Sequence, residues 1–108
     1  MSNKISEVVE SFMSLKYDRC GNTRTDGTVL RLNDDIIAKW MRTAGSGGWD
    51  VLQLWITTEG SLVTSKLLER FDLISFCSGY GCVVEMKDDG LYLNGEVWDG
   101  SWTKLEIL

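Results

Sequence analysis

Turn dipeptides punctuate the C-terminal third of the chain at short intervals, and this limits the fold more than any other feature. Asn94-Gly95 separates Leu91-Tyr92-Leu93 from Glu96-Val97-Trp98. A type I′ turn needs two central residues that tolerate positive φ, so Asn-Gly between two short apolar runs predicts a hairpin. Asp89-Gly90 and Asp99-Gly100 mark further reversals. From Leu73 onward, "LISFC", "CVVEMK", "LYL", "EVW" and "WTKLEIL" are therefore expected as strands of an antiparallel meander.

Upstream the periodicity changes. Ile5, Val8, Val9, Phe12 and Met13 recur at helical spacing with Glu7, Glu10, Ser11 and Ser14 between them, which predicts an amphipathic helix capped by Ser2 or Asn3. The stretch 18–27, "DRCGNTRTDG", breaks that pattern. "TVLRL" (28–32) reads as a strand. "NDDIIAKWMRTAG" (33–45) reads as a second helix, with Asn33 as N-cap, Asp34 and Asp35 at the positive end of the dipole and Gly45 as C-cap. Ile36, Ile37, Trp40, Met41 and Ala44 form its expected buried face. "VLQLWITT" (51–58) is rich in β-branched and aromatic residues and predicts a strand, and "SKLLERFD" (65–72) predicts a short helix.

A chain of 108 residues is the size of one domain. The expected fold is α+β: a single small domain over 1–108, with an antiparallel meander sheet of about five or six strands and two helices, N-terminal and 34–44, on one face.

Catalytic and metal chemistry find little here. With no histidine, the commonest general base is absent, and Gly-x-Ser-x-Gly does not occur. The glycines of "AGSGGWD" follow an expected helix and precede a strand, the reverse of a phosphate loop. Three cysteines, Cys20, Cys77 and Cys82, fall one short of a zinc ligand set. "FCSGYGC" (76–82) is expected as a hairpin, with Cys77 and Cys82 facing each other across a four-residue turn. No catalytic residue, metal or cofactor is expected.

Charge is more informative. The net charge is −5, and residues 59–108 hold nine acidic against four basic residues. Within 85–99, five acids accompany one lysine. A binder of nucleic acid shows the opposite balance, so no direct nucleic-acid binding is expected, and a basic protein surface is the expected partner. With an odd cysteine count, no uninterrupted apolar leader and no run of about 18 apolar residues, a cytoplasmic chain with no membrane contact is expected.

The tryptophans supply the remaining signal. Trp40 lies on the expected helix stripe, Trp49 precedes the next strand, Trp55 lies within that strand on the face opposite Leu52, Leu54 and Ile56, and Trp98 and Trp102 flank "DGS". Exposed tryptophans beside carboxylates have the composition of a binding hot spot, so Trp98, Trp102, Tyr92, Asp88, Asp89, Glu96 and Asp99 are the expected partner-binding residues. The chain is thus expected to be a small acidic inhibitor or regulator, by analogy with immunity and phage counter-defence proteins, acting as monomer or homodimer. The alternative is a small-molecule or carbohydrate site with stacked tryptophans.

Overall fold

The computed structural model describes residues 4–44, 47–48, 50–59, 63–78 and 81–105, with Thr43, Ala44, Cys77 and Ser78 described by backbone alone. The chain adopts the expected α+β class with two helices and antiparallel sheet. The first helix, α1 (Ile5–Met13), buries Val8, Val9 and Phe12 as its spacing predicts. Lys4 holds its cap position, and the Glu7 carboxylate accepts the Lys4 N–H at 3.3 Å. Ser2 and Asn3, the expected caps, lie outside the described residues.

The main sheet contains β1 (Asp18–Cys20), β2 (Thr23–Thr25), β3 (Val29–Leu32), β4 (Asp35–Ala44), β5 (Asp50–Ile56) and β9 (Thr103–Lys104), in that order. Its first hairpin comes from the stretch that sequence pattern marks as a breaker. Cys20 pairs with Thr23 across Gly21-Asn22, and Gly21 takes a φ of 59°. Thr-Arg-Thr then alternates, burying Thr23 and Thr25 and exposing Arg24.

Residues 34–44 are not a helix. Asp35–Ala44 form β4, the longest strand among the described residues, paired with β3 on one side and β5 on the other. Asn33 does not cap; at φ 58° it makes the two-residue turn between Leu32 and Asp35. The misleading spacing has a physical source. The register slips between Leu30 and Arg31, a bulge that sends the adjacent Ile37 and Ala38 both into the core. Two consecutive buried residues break period two and imitate a helical stripe.

The second helix is α2 (Ser65–Ser78), 14 residues long, and runs six residues beyond the expected "SKLLERFD". Leu67, Phe71 and Ile74 are fully buried at spacings of four and three, so "LISFC" continues a helix and is not a strand. Phe76 and Cys77 accordingly belong to α2, and Cys82 precedes β6. The expected cross-strand pair of Cys77 and Cys82 is not formed; 79–80 of that turn lie outside the described residues. Arg70 ties α2 to the sheet. It is 3% exposed, donates from Nε and Nη2 to Thr23 Oγ1 at 3.1 and 2.7 Å, and from Nη1 to the Lys66 carbonyl at 2.6 Å.

Both helices pack together, with α1 against β1, β2 and β3, so they cover one face of the main sheet. The molecule measures 44 × 39 × 23 Å, a slab two layers deep. A second sheet, β6 (Val84–Lys87), β7 (Gly90–Leu93) and β8 (Glu96–Trp98), adjoins α2 through β6. Asn94 and Gly95 make its predicted turn, at φ 53° and 85°. The two sheets are joined at Gly100, whose carbonyl accepts hydrogen bonds from Thr58 N–H and Thr57 Oγ1, both 2.8 Å, and from Thr58 Oγ1 at 3.3 Å. Among the described residues no helix is long and apolar enough to cross a membrane.

Candidate functional site on the C-terminal sheet

The Asn94-Gly95 turn fixes the register of β7 on β8: Leu93 faces Glu96, Tyr92 faces Val97, and Leu91 faces Trp98. Residues directly opposite share a face, so this register divides the expected binding residues between two sides. Trp98 falls on the side of Leu91, Leu93 and Val84, turned to the core. It is 7% exposed and meets Phe71 edge-on at 6.3 Å, and its Nε1–H donates to the Ser101 carbonyl and to Thr103 Oγ1. The expectation of an exposed Trp98 is therefore corrected: this indole anchors the small sheet to α2.

Tyr92 takes the outer side with Glu85, Lys87 and Val97. Its hydroxyl donates to Asp89 Oδ2 at 2.7 Å, and the Lys87 ammonium sits 4.4 Å from its ring centroid. The hydrogen bond to Asp89, with some burial, raises the phenol above its usual range and keeps it a donor. Val97 is 81% exposed beside this ring. Around them, Glu85, Asp88, Asp89 and Asp99 are exposed, while Glu96, also exposed, lies opposite Leu93 on the other side. Asp99 Oδ1 accepts from Ser101 Oγ at 2.6 Å and Ser101 N–H at 3.0 Å, which holds its carboxyl below the ordinary carboxylate range and closes the turn after β8.

No family model, curated protein or solved structure matches this chain.

The other tryptophans lie elsewhere. Trp40 is half-buried on β4 and donates from Nε1 to the Phe12 carbonyl at 3.0 Å, with the two rings 5.8 Å apart. Trp55 is half-buried, and its Nε1 is buried with no partner among the described residues. Trp102 is half-buried and turns toward the main sheet, where the Lys39 ammonium stands 4.0 Å from its ring centroid. Trp49 lies outside the described residues. Of the seven expected residues, the structure keeps Tyr92, Asp88, Asp89, Glu96 and Asp99 around one small sheet, sends Trp98 inward and Trp102 to another surface.

Val97 and Glu85, which share the outer side with Tyr92, were missed by sequence reasoning. The turn itself carried the missing signal: a two-residue loop pairs Leu93 with Glu96, hence Tyr92 with Val97 and never with Trp98.

Cys82 is fully buried, and burial, with a contribution from the Asp72 charge, pushes its thiol up to about 12, far from a thiolate. Among the described residues no three His, Cys, Asp or Glu side chains are grouped to hold a metal.

Proposed function

We propose that this chain is a non-catalytic protein-binding module that inhibits or regulates its partner by docking the outer face of β6, β7 and β8 against a basic surface. One observation carries the reading: Val97, 81% exposed, lies directly opposite Tyr92 among four exposed acids, Glu85, Asp88, Asp89 and Asp99. Interfaces commonly place a small aromatic and apolar centre inside a polar rim, where the rim charges steer encounter and set the partner's sign. The Tyr92–Asp89 hydrogen bond holds the ring before any partner arrives, which lowers the ordering cost of binding. A sugar-stacking role for the tryptophans is the weaker reading, because Trp98 is buried and Lys39 occupies one face of the Trp102 ring.

The test compares immobilised wild-type chain with Val97→Asp and Tyr92→Ala variants of unchanged thermal stability, against extract from the source cell. A protein retained by the wild type, lost with both variants, and released as salt rises from about 0.05 to 0.5 M supports docking through this face. Retention indifferent to both substitutions would sink the proposal.

A further inference from the structure

The outer face of the main sheet collects cations that the net charge of −5 conceals. Register decides which side chains share it. Arg19 lies opposite Arg24, and Arg24 opposite Arg31, three guanidinium groups abreast on β1, β2 and β3. Two residues along, Lys39 lies opposite Trp55 and Trp55 opposite Lys104. The intervening positions carry Leu30, Ala38 and Ile56 into the core, so these five cations stand on the side away from the helices. The strand acids Asp18, Asp35 and Asp50 all take the other parity, opposite Thr25, Leu32 and Ala44.

Like charges directly opposite destabilise a sheet. Asp34, 99% exposed, bridges Arg24 at 3.5 Å, a contact too solvated to contribute much, and its carbonyl accepts from Arg31 Nη1 at 3.4 Å. Asp26 is engaged in its own turn, Oδ1 accepting from Thr28 N–H, Thr28 Oγ1 and Val29 N–H. Beside the row, Tyr17 is 73% exposed and lines, with the three arginines, an open cleft of about 270 Å³.

We infer that this face binds single-stranded nucleic acid, phosphates along the arginines and lysines and bases against Tyr17. Three features favour that occupant. With strands about 4.8 Å apart, cations from β1 to β9 span roughly 24 Å, an array matched to an extended polyanion and not to one phosphate. Guanidinium groups pair with phosphate oxygens through two donors at once. Aromatic rings beside a basic track hold unpaired bases by stacking, which a duplex does not offer to a flat sheet.

The test measures fluorescence anisotropy of labelled oligothymidylate and oligouridylate of about 15 nucleotides, with a duplex of equal length, against the full chain. If five phosphates are engaged, affinity should fall with a log–log salt slope of about −3.5; the combined Arg19→Gln, Arg24→Gln, Arg31→Gln variant should show about −1.4 and bind more than tenfold weaker at low salt. Tyr17→Ala should weaken binding about tenfold with the slope unchanged, since stacking is insensitive to salt. Tighter binding of one sugar type assigns DNA or RNA. No binding by the wild type, equal binding by the triple variant, or a duplex held as tightly as the single strands would overturn the inference. So would loss of self-association by the triple variant with no oligonucleotide bound, which would assign the row to the acidic sheet of a second copy.

Discussion

The outer faces of the two sheets are built by the same alternation, yet they carry opposite charge. On β1 to β3, alternation sends Thr23, Thr25, Leu30 and Leu32 inward and Arg19, Arg24 and Arg31 outward. On β6 to β8 it sends Val84, Leu91, Leu93 and Trp98 inward and leaves Tyr92 and Val97 in a rim of acids. A net charge sums these faces and describes neither. What a partner meets is set by register, because one residue of slip would exchange core and surface on either sheet.

Detaching the acidic face from the helices should have the largest effect. Trp98→Ala removes an indole 7% exposed, the ring contact with Phe71 and two hydrogen bonds, and should cost about 3–5 kcal/mol in urea unfolding. Trp102→Ala, at a half-buried site, should cost well under half as much. Equal losses would mean that Trp98 is not the anchor described here.

Next in size is the seam between the faces. Gly100 takes a φ of 83°, and a Cβ there would meet Thr58 Oγ1 in overlap, so Gly100→Ala should lose about 1–3 kcal/mol by thermal unfolding. The same change at Gly95 has the positive φ of 85° but open space around it, and should cost less. The ranking of the two separates close approach from backbone strain.

Smaller still, and opposite in sign, is the effect of thinning the arginine row. Arg24→Thr relieves two like-charge contacts and places a β-branched residue in a strand, so it should stabilise the chain by a few tenths of a kcal/mol, and less as salt rises. A clear loss of stability would show that Arg24 is held by more than the exposed Asp34.

Acid provides the finest distinction. Hydrogen bonds from Thr28 and Val29 lower the Asp26 carboxyl on the basic side, and those from Ser101 lower Asp99 on the acidic side. A carboxyl depressed in the folded chain contributes stability above its ordinary value of 3.8, and that contribution is lost as pH falls below it. Asp26→Asn and Asp99→Asn should each flatten the decline of melting temperature between about pH 4 and 2, the former at the main sheet and the latter at the small one.

How far these faces were legible varied with the kind of signal. Local chemistry was sufficient at Asn94-Gly95, where two residues fix a turn, and at α1, where the stripe is regular. It misled at 33–45, since Asn33 serves equally as helix cap and left-handed turn residue, and the bulge at Ile37 and Ala38 gave a strand the spacing of a helix. At 73–78 a β-like composition concealed the helical stripe of Leu67, Phe71 and Ile74. The arginine row was invisible for another reason. Arg19, Arg24 and Arg31 are separated by turns, and only strand pairing brings them abreast.

The bulged strand β4 has a consequence for the order in which the chain can mature. Its residues favour a helix when judged by their neighbours in sequence, and become a strand only between β3, already synthesised, and β5, which emerges later. A nascent chain ending near residue 48 therefore carries a segment whose local preference opposes its final pairing, with one flank still missing. Residues 50–56 supply that missing flank, so pairing with β5 completes the register of β4 and, with it, of the basic face.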